Sequence, residues 1–293
     1  MANNIIDLTG EDMPALDWPA IKYDAEMNFG SQLRKTLDAQ GFAVVSNVLS
    51  DEQVRKGKDL FYQWYYSQSE VFEKHKKVST RGIFKHFKIG GTRFTWHTRT
   101  IPAVANVYRA AHGLPKNERM MTSLDGACFI PETWETKDCF PKKSFVHTDQ
   151  KPLYKGHKSI QGYVSYTDNP SDGRTTIFYR RSNKYFDEYY EEFTEIRDAN
   201  KQFNFVDVGY LLRPGVAKHR TTVHVPRGAM CLWSSKTFHS CQWGQAKHER
   251  LVSYVAMLPK KIDTPAMSKK RKAYAMEGRT TGFAQNFRVK RKG

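Results

Sequence analysis

His147-Thr148-Asp149 places a histidine and a carboxylate two residues apart, in a region of short β-type runs. Residues two apart on a strand point to the same face, so both side chains can reach one metal ion. His239, in Thr237-Phe238-His239-Ser240, follows another predicted strand and is the candidate third ligand. Two imidazoles and one carboxylate suit Fe(II) and leave three coordination positions open, whereas structural zinc takes four ligands, usually with cysteine. The trio therefore predicts an Fe(II) centre.

Ten histidines occur in the chain, so a histidine two residues before an aspartate arises easily by chance. Two of them compete with His239 for the third position. His224 comes just before the turn Pro226-Arg227-Gly228, at the wrong end of its predicted hairpin. His248 lies two residues before Arg250, too close for one strand to supply a ligand and an anchor at different depths. His239 is therefore the predicted ligand.

Arg250 lies eleven residues after His239, in the next predicted strand. A guanidinium holds a planar carboxylate through two parallel hydrogen bonds. A buried guanidinium needs an anionic ligand, because an unpaired buried charge is costly. We predict that Arg250 anchors the far carboxylate of a dicarboxylic cosubstrate bound at the metal.

The second half of the chain is predicted to be rich in strands. From about Thr122, short β-branched and aromatic runs alternate with turn signals such as Asp168-Asn169-Pro170 and Ser171-Asp172-Gly173. The predicted strands cover residues 123–129, 144–147, 159–167, 175–179, 219–225, 229–233 and 250–258. This pattern predicts a mainly β fold with flanking helices, built on a double-sheet jelly roll or barrel.

Helical signals are concentrated before residue 121. Leu33 and Leu37 among charged residues predict a helix over 30–40 that stops at Gly41. Ser50 and Gln53 match a capping box that opens a second helix, and a third is predicted over 102–113. Residues 80–100 are predicted to form a basic, glycine-bearing loop, which either covers a site or lies on the surface. We expect an N-terminal helical region over 1–120, a core over 121–259, and an inserted helix over 183–200.

Composition narrows the class of protein. The 293 residues are 39% hydrophobic, enough for one sizeable core with appended helices. There is no run of 18 apolar residues, and the first residues lack the basic and apolar parts of a secretory signal. The four cysteines show no CxxC spacing, which favours reduced thiols and a cytoplasmic location over a disulfide or zinc framework.

The net charge of +17 is concentrated at the C-terminus. Residues 260–293 hold eleven Lys or Arg against Asp263 and Glu277, and we expect this tail to pack little. It is interpreted either as a solvated tail or as a nucleic-acid contact or nuclear address. The basic residues concerned are Lys269, Lys270, Arg271, Lys272, Lys290, Arg291 and Lys292.

Residues from about 30 to 258 resemble the phytanoyl-CoA dioxygenase group of Fe(II)/2-oxoglutarate-dependent oxygenases. The stretch from Leu37 to Gln53 is similar to that group's opening, where a helix meets a Gly-Phe strand and then a capped helix. His147-Thr148-Asp149-Gln150 matches its HxDQ motif. The stretch from Pro226 to His239 is similar to its strand pair carrying the second metal histidine, and Arg250 falls at its 2-oxoglutarate arginine.

The resemblance implies a double-stranded β-helix core, Fe(II), 2-oxoglutarate and O2. His147, Asp149 and His239 are then the catalytic metal ligands and Arg250 the cosubstrate anchor. Among less specific candidates, Gln150 and Gln161 would orient amide or carboxylate groups, and Tyr163 would donate a hydrogen bond to 2-oxoglutarate.

Two details bear on the substrate. Tyr179-Arg180-Arg181-Ser182-Asn183 stands where the group often has Pro-Gly-Ser-His, which argues against a phytanoyl-CoA-type substrate. Asp149 argues for hydroxylation, because halogenating relatives have a small residue there. Three classes stay open: a hydroxylase of a small molecule or free amino acid, an oxygenase acting on nucleic acid or protein through the basic surface, and a binding module with a degenerate iron site. The intact trio and Arg250 disfavour the third.

Overall fold

The computed structural model describes residues 19–68, 74, 81–134, 144–156, 159–201, 203–241 and 248–281. Strands are numbered along the chain as β1 Ile21–Lys22, β2 Phe42–Ser46, β3 Ile83–Phe84, β4 Met120–Thr122, β5 Ala127–Ile130, β6 His147–Thr148, β7 Ile160–Ser165, β8 Thr176–Tyr179, β9 Asn204–Phe205, β10 Arg220–Thr222, β11 Met230–Ser234, β12 His239–Cys241, β13 Arg250–Val255 and β14 Met257–Pro259. They form a seven-stranded sheet in the order β1-β2-β11-β7-β13-β5-β3, a five-stranded sheet in the order β10-β8-β12-β6-β9, and a β14-β4 pair.

The two large sheets face each other. Phe42 of the seven-stranded sheet stacks on Phe178 of the five-stranded sheet, with ring centroids 4.4 Å apart. Both belong to one buried cluster that also includes Tyr163 and Trp233. This jelly-roll core with flanking helices confirms the predicted fold class. The strands β1, β2 and β3 come from the first 120 residues and extend the larger sheet.

Alternation along the strands decides which side chains face the other sheet. In β2, Phe42 and Val44 join the cluster between the sheets, whereas Ala43 and Val45 join the cluster on the outer face. Successive side chains on a strand point to opposite faces. The same rule turns Arg250, Val252 and Tyr254 of β13 inward, and it turns Leu251 and Val255 outward.

Helices cover the outer face of the larger sheet. They are α1 Gly30–Gln40, α2 Asp51–Tyr66, α3 Arg93–Thr100 and α4 Pro102–Ala111. The predicted capping box is present, since the Gln53 amide donates to Ser50 Oγ at 3.2 Å and the Ser50 amide donates to Gln53 Oε1 at 3.0 Å. The helix α1 has the predicted bounds and ends at Gly41, whose φ of 85° suits glycine.

Two sequence predictions are wrong in detail. Residues 81–100 are not a continuous loop, because β3 pairs with β5 and α3 begins after Thr92, whose hydroxyl caps the Thr95 amide. The inserted helix is split at Phe193 into α5 Phe186–Glu192 and α6 Thr194–Ala199. Two further short helices follow, α7 Val208–Leu211 and α8 Pro214–Ala217.

The expectation that the tail packs little is also wrong for its described part. Residues Pro265–Met276 form α9, from which Tyr274 is buried in a cluster with Met121 and Leu124. Lys269, Lys270 and Lys272 are exposed and Arg271 is half-buried, whereas Lys290, Arg291 and Lys292 lie outside the described residues. None of the helices formed by the described residues combines the length and apolar character needed to cross a bilayer.

Candidate metal centre

The structure brings the three predicted ligands together in the five-stranded sheet. His147 of β6 lies directly opposite His239 of β12 in antiparallel register, and Asp149 follows two residues after His147. Asp149 Oδ2 is 3.4 Å from His239 Nε2 and 3.8 Å from His147 Nε2. Ligand atoms of all three lie within 4.8 Å of one another. Such spacing is what one ion placed between them requires.

Backbone carbonyls orient both imidazoles. His147 Nδ1 is 2.7 Å from the Phe145 carbonyl oxygen, and His239 Nδ1 is 2.9 Å from the Thr237 carbonyl oxygen. A carbonyl can only accept, so Nδ1 carries the proton in each ring. The lone pair of each Nε2 is therefore free to face the shared centre, an arrangement common in metal sites.

Burial and neighbouring groups set the protonation of His147 and Asp149. All three residues of the cluster are at most 7% exposed. Burial, with a contribution from His239, lowers the pKa of His147 to about 3, so this imidazole is neutral at pH 7. Burial alone would raise the pKa of Asp149, but the two histidines bring it below its usual value. His147 thus offers a neutral nitrogen and Asp149 a carboxylate, and metal binding requires the imidazole and the carboxyl group in these forms.

Arg250 lies on the facing sheet and is 1% exposed. Its Nη2 donates to Thr176 Oγ1 at 3.4 Å, and its guanidinium carbon lies 5.5 Å from the centre of the Tyr163 ring. Among the described residues, neither Nε nor Nη1 of Arg250 has a hydrogen-bond partner. A buried cation with two donors unsatisfied by protein calls for an anionic ligand.

A cavity lies against the histidines. Arg250 is not among the described residues of its wall, but Thr176 and Tyr163, which Arg250 contacts, are. Its wall includes all three candidate ligands, together with Thr176, Gln161 and Tyr163.

The weaker sequence candidates have different positions. Gln161 and Tyr163 are neighbours on one face of β7 and both line the cavity. Gln161 Oε1 has no partner among the described residues, and the Tyr163 hydroxyl lies 3.2 Å from Thr176 Oγ1. Gln150 is not among the cavity-lining residues that the structure describes. Its amide donates to the Gly156 carbonyl and accepts from the Ser235 hydroxyl, so it braces the chain after Asp149.

The competing histidines lie elsewhere. His224 pairs with Asp168 at 2.9 Å on the surface, and His248 is exposed. The choice of His239 therefore agrees with the geometry.

Sequence reasoning missed part of the cavity wall. Lys85, which follows β3, and Asp125, in the turn between β4 and β5, both line the cavity. Thr281 of the C-terminal tail supports this turn, because its amide donates to the Leu124 carbonyl at 2.9 Å and its hydroxyl accepts from the Leu124 amide at 2.9 Å. The described part of the tail is thus attached to the residue next to Asp125.

Thr281→Val should test this support. The substitution keeps the shape of the side chain and leaves the buried Leu124 amide without its acceptor, which costs about 1–3 kcal/mol. We expect a lower free energy of unfolding in urea, whereas Thr281→Ser, which keeps the hydroxyl, should retain most of it. Equal losses in the two variants would show that packing of the methyl group, and not the hydrogen bond, holds the turn.

Sequence comparisons give distant relatives and no match to any protein-family model. The chain is 24% identical over 257 residues to Ava biosynthesis cluster protein O of Aspergillus versicolor, covering 79% of this chain and 78% of that protein. It is 19% identical over 265 residues to a Dictyostelium discoideum protein named "Putative phytanoyl-CoA dioxygenase", covering 75% and 72%.

Solved structures show the same architecture. A hypothetical protein from Escherichia coli has a TM-score of 0.66 at 13% identity, covering 92% of this chain and 79% of that one. The non-heme monooxygenase ThoJ, solved in its apo form, has a TM-score of 0.52 at 11% identity, covering 78% of each chain. The chain has the fold of a non-heme oxygenase. Together with the Dictyostelium relative, this confirms the resemblance to the phytanoyl-CoA dioxygenase group.

Proposed function

We propose that the protein is an Fe(II)/2-oxoglutarate-dependent dioxygenase that hydroxylates a small molecule. The observation that carries the proposal is the pairing of a buried two-histidine, one-carboxylate cluster with a buried arginine that keeps two unsatisfied donors. The cluster matches the facial set of non-heme Fe(II) oxygenases, and the arginine matches the need of a dicarboxylic cosubstrate.

The donor set fits ferrous iron. His147 and His239 would each offer Nε2, and Asp149 would offer Oδ2, because these atoms converge. Among the described residues no further His, Cys, Asp or Glu joins this group, so the protein supplies three ligands. A structural zinc site would need a fourth. Asp149 also supports hydroxylation over halogenation, since the carboxylate occupies a position that a halide would otherwise need.

The Arg250 side of the cavity fits 2-oxoglutarate. The Nε and Nη1 donors that lack protein partners would take the carboxylate far from the metal, and Thr176 would fix the guanidinium plane through Nη2. Gln161 and Tyr163 would line the path between this carboxylate and the metal. When bound, iron and 2-oxoglutarate supply the oxidising chemistry, in which O2 is consumed and succinate and CO2 are released.

The chain's own residues position and shield the reactants. The Phe145 and Thr237 carbonyls keep both imidazoles in the tautomer that binds metal. Phe203 packs against His147 with ring centroids 4.3 Å apart, and Trp233 packs against His239 at 5.1 Å. These rings exclude water from the ligands and leave the cavity mouth as the route for substrate.

A small molecule is the favoured substrate class because the site is a cavity and not an open groove. The Dictyostelium relative's name points to a dioxygenase, and the Aspergillus relative is named for a biosynthesis cluster. No observation favours the nucleic-acid or protein alternative: the described part of the basic tail packs on the turn beside the cavity.

Succinate release tests the proposed reaction. Purified protein supplied with Fe(II), 2-oxoglutarate and O2 should form succinate slowly even without substrate, and the rate should fall to background when a chelator removes iron. The proposal would be contradicted by succinate formation that does not depend on added iron. It would also be contradicted if protein shown to hold one iron formed no succinate.

A further inference from the structure

The proposed function leaves two charged residues of the cavity wall without a role. Asp149 would bind the metal, and Arg250 would bind the cosubstrate. Arg250 is not among the described residues of the cavity wall, whose charged members besides Asp149 are Lys85 and Asp125. Lys85 is exposed at the cavity mouth, whereas Asp125 is 9% exposed. Neither forms an ion pair within 4.0 Å with a described residue.

The turn that carries Asp125 is rigidly held. Arg99 donates from Nη2 to the Asp125 carbonyl, and the Tyr254 amide donates to the Gly126 carbonyl at 3.0 Å. A Cβ on Gly126 would lie 1.9 Å from the Phe84 carbonyl oxygen, so the backbone passes β3 closely at this point. Together with the Thr281 bonds to Leu124, these contacts fix the backbone from which the Asp125 side chain extends before any ligand arrives.

The retention of a carboxyl group at this depth needs a reason, because burying an uncompensated charge destabilises a protein. Burial raises the pKa of Asp125 to about 6, although Lys85, Arg99 and a hydrogen bond from Ser123 act to lower it. The group is therefore mostly ionised at pH 7.

Opposite charges on one cavity wall specify a complementary ligand. An ammonium group would satisfy Asp125, and an anionic group would satisfy Lys85. The aromatic side chains of Phe145, Phe203 and Tyr254 also line the cavity, and such faces tolerate a cation nearby. A neutral apolar substrate would dehydrate the Asp125 carboxylate and give it no cation in contact, which disfavours such a substrate.

We propose that the substrate is a small zwitterion, whose ammonium group binds Asp125 and whose carboxylate binds Lys85. This inference rests on the proposed function, since it assigns Asp149 and Arg250 to iron and 2-oxoglutarate. It makes Asp125 and Lys85 the specificity-determining residues of the site, each selecting one charge of the substrate.

Binding of a defined probe series tests the assignment. Protein loaded anaerobically with Fe(II) and saturating 2-oxoglutarate is titrated calorimetrically with unbranched ω-amino acids, from glycine to 8-aminooctanoate. Each is compared with the carboxylic acid and the primary amine of the same chain length. At the length that matches the separation of the two side chains, we expect the zwitterion to bind at least ~10-fold more tightly than either matched compound, the scale of one lost charged hydrogen bond.

Variants assign each charge to its residue. Asp125→Asn should weaken the zwitterion at least ~10-fold and leave the matched acid unchanged, whereas Lys85→Gln should weaken the zwitterion and leave the matched amine unchanged. Asp59→Asn and Lys56→Gln change the same residue types at exposed positions of α2 and should alter nothing.

The failures of the two proposals are distinguishable. If the loaded protein shows its 2-oxoglutarate-dependent visible absorption but no zwitterion binds more tightly than its matched acid and amine, the substrate assignment is overturned and the oxygenase proposal stands. Unchanged affinity in Asp125→Asn would also overturn it. If the absorption itself does not form, the proposed function fails first.

Discussion

His239→Ala is expected to remove iron binding and, with it, succinate formation. The substitution deletes one of the three proposed protein ligands, and the described residues around His147 and Asp149 hold no other His, Cys, Asp or Glu close enough to replace it. Loss of a group that merely orients a metal ligand typically lowers affinity or activity by about 10- to 100-fold. Loss of the ligand itself should exceed ~100-fold on the same scale. Metal content after anaerobic loading and desalting, and the succinate rate, are the measurements.

His224→Ala is the matched control for this variant. His224 makes a surface pair with Asp168 and does not line the cavity, so its removal changes the histidine count without touching the cluster. Exposed pairs of this kind contribute little to stability. Iron stoichiometry in His224→Ala should equal that of the wild type. Retention of one iron per chain in His239→Ala would show that the metal is held elsewhere.

Arg250→Met is expected to raise the 2-oxoglutarate concentration needed for half-maximal turnover. Removing one partner of a buried, hydrogen-bonded charge pair costs about 2–5 kcal/mol, which corresponds to roughly 30-fold to several thousand-fold in affinity. The metal ligands stay in place, so the rate at saturating 2-oxoglutarate should change far less than this requirement. Initial rates of succinate release over a range of 2-oxoglutarate concentrations separate the two effects.

The same variant should not lose thermal stability when no ligand is bound. Two guanidinium nitrogens of Arg250 have no partner among the described residues, so replacing the buried charge with methionine should not lower the melting temperature measured without ligands. Arg99→Met is the contrasting control and should lower the melting temperature, because Arg99 donates to the Gly90 and Asp125 carbonyls and its loss leaves both unsatisfied.

An unchanged 2-oxoglutarate requirement in Arg250→Met would contradict the proposal that Arg250 anchors the cosubstrate.

The positions of the proposed metal cluster and of the proposed anchor could be predicted from sequence because their signals are local. The spacing of His147 and Asp149 uses the two-residue period of a strand, and the structure places them together. The same two-residue alternation along β13 turns Arg250 into the space between the sheets. His239 required a choice among histidines, which its position after a predicted strand decided, and the structure places it beside His147 and Asp149.

Other parts of the site carry no such signal. Asp125 lies in a short turn whose sequence does not indicate that it faces a cavity, and Lys85 was only one of several basic residues in a predicted loop. The bonds between Thr281 and Leu124 join residues 157 positions apart, a separation that no periodic pattern reports. The net charge of the tail predicted a solvated segment, but Tyr274 and Thr281 are buried against the core. Gln150 was predicted to orient a ligand because it belongs to the HxDQ motif, but its side-chain amide donates to the Gly156 carbonyl of its own loop.

Anaerobic titration of the wild-type protein with Fe(II), followed by 2-oxoglutarate, tests most directly whether these side chains form one ferrous site with a diacid anchor. The account predicts uptake of one iron per chain and, on adding 2-oxoglutarate, a weak visible absorption band that saturates at one equivalent and is weakened in Arg250→Met. Iron uptake without the band, or no iron uptake by folded protein, would contradict it.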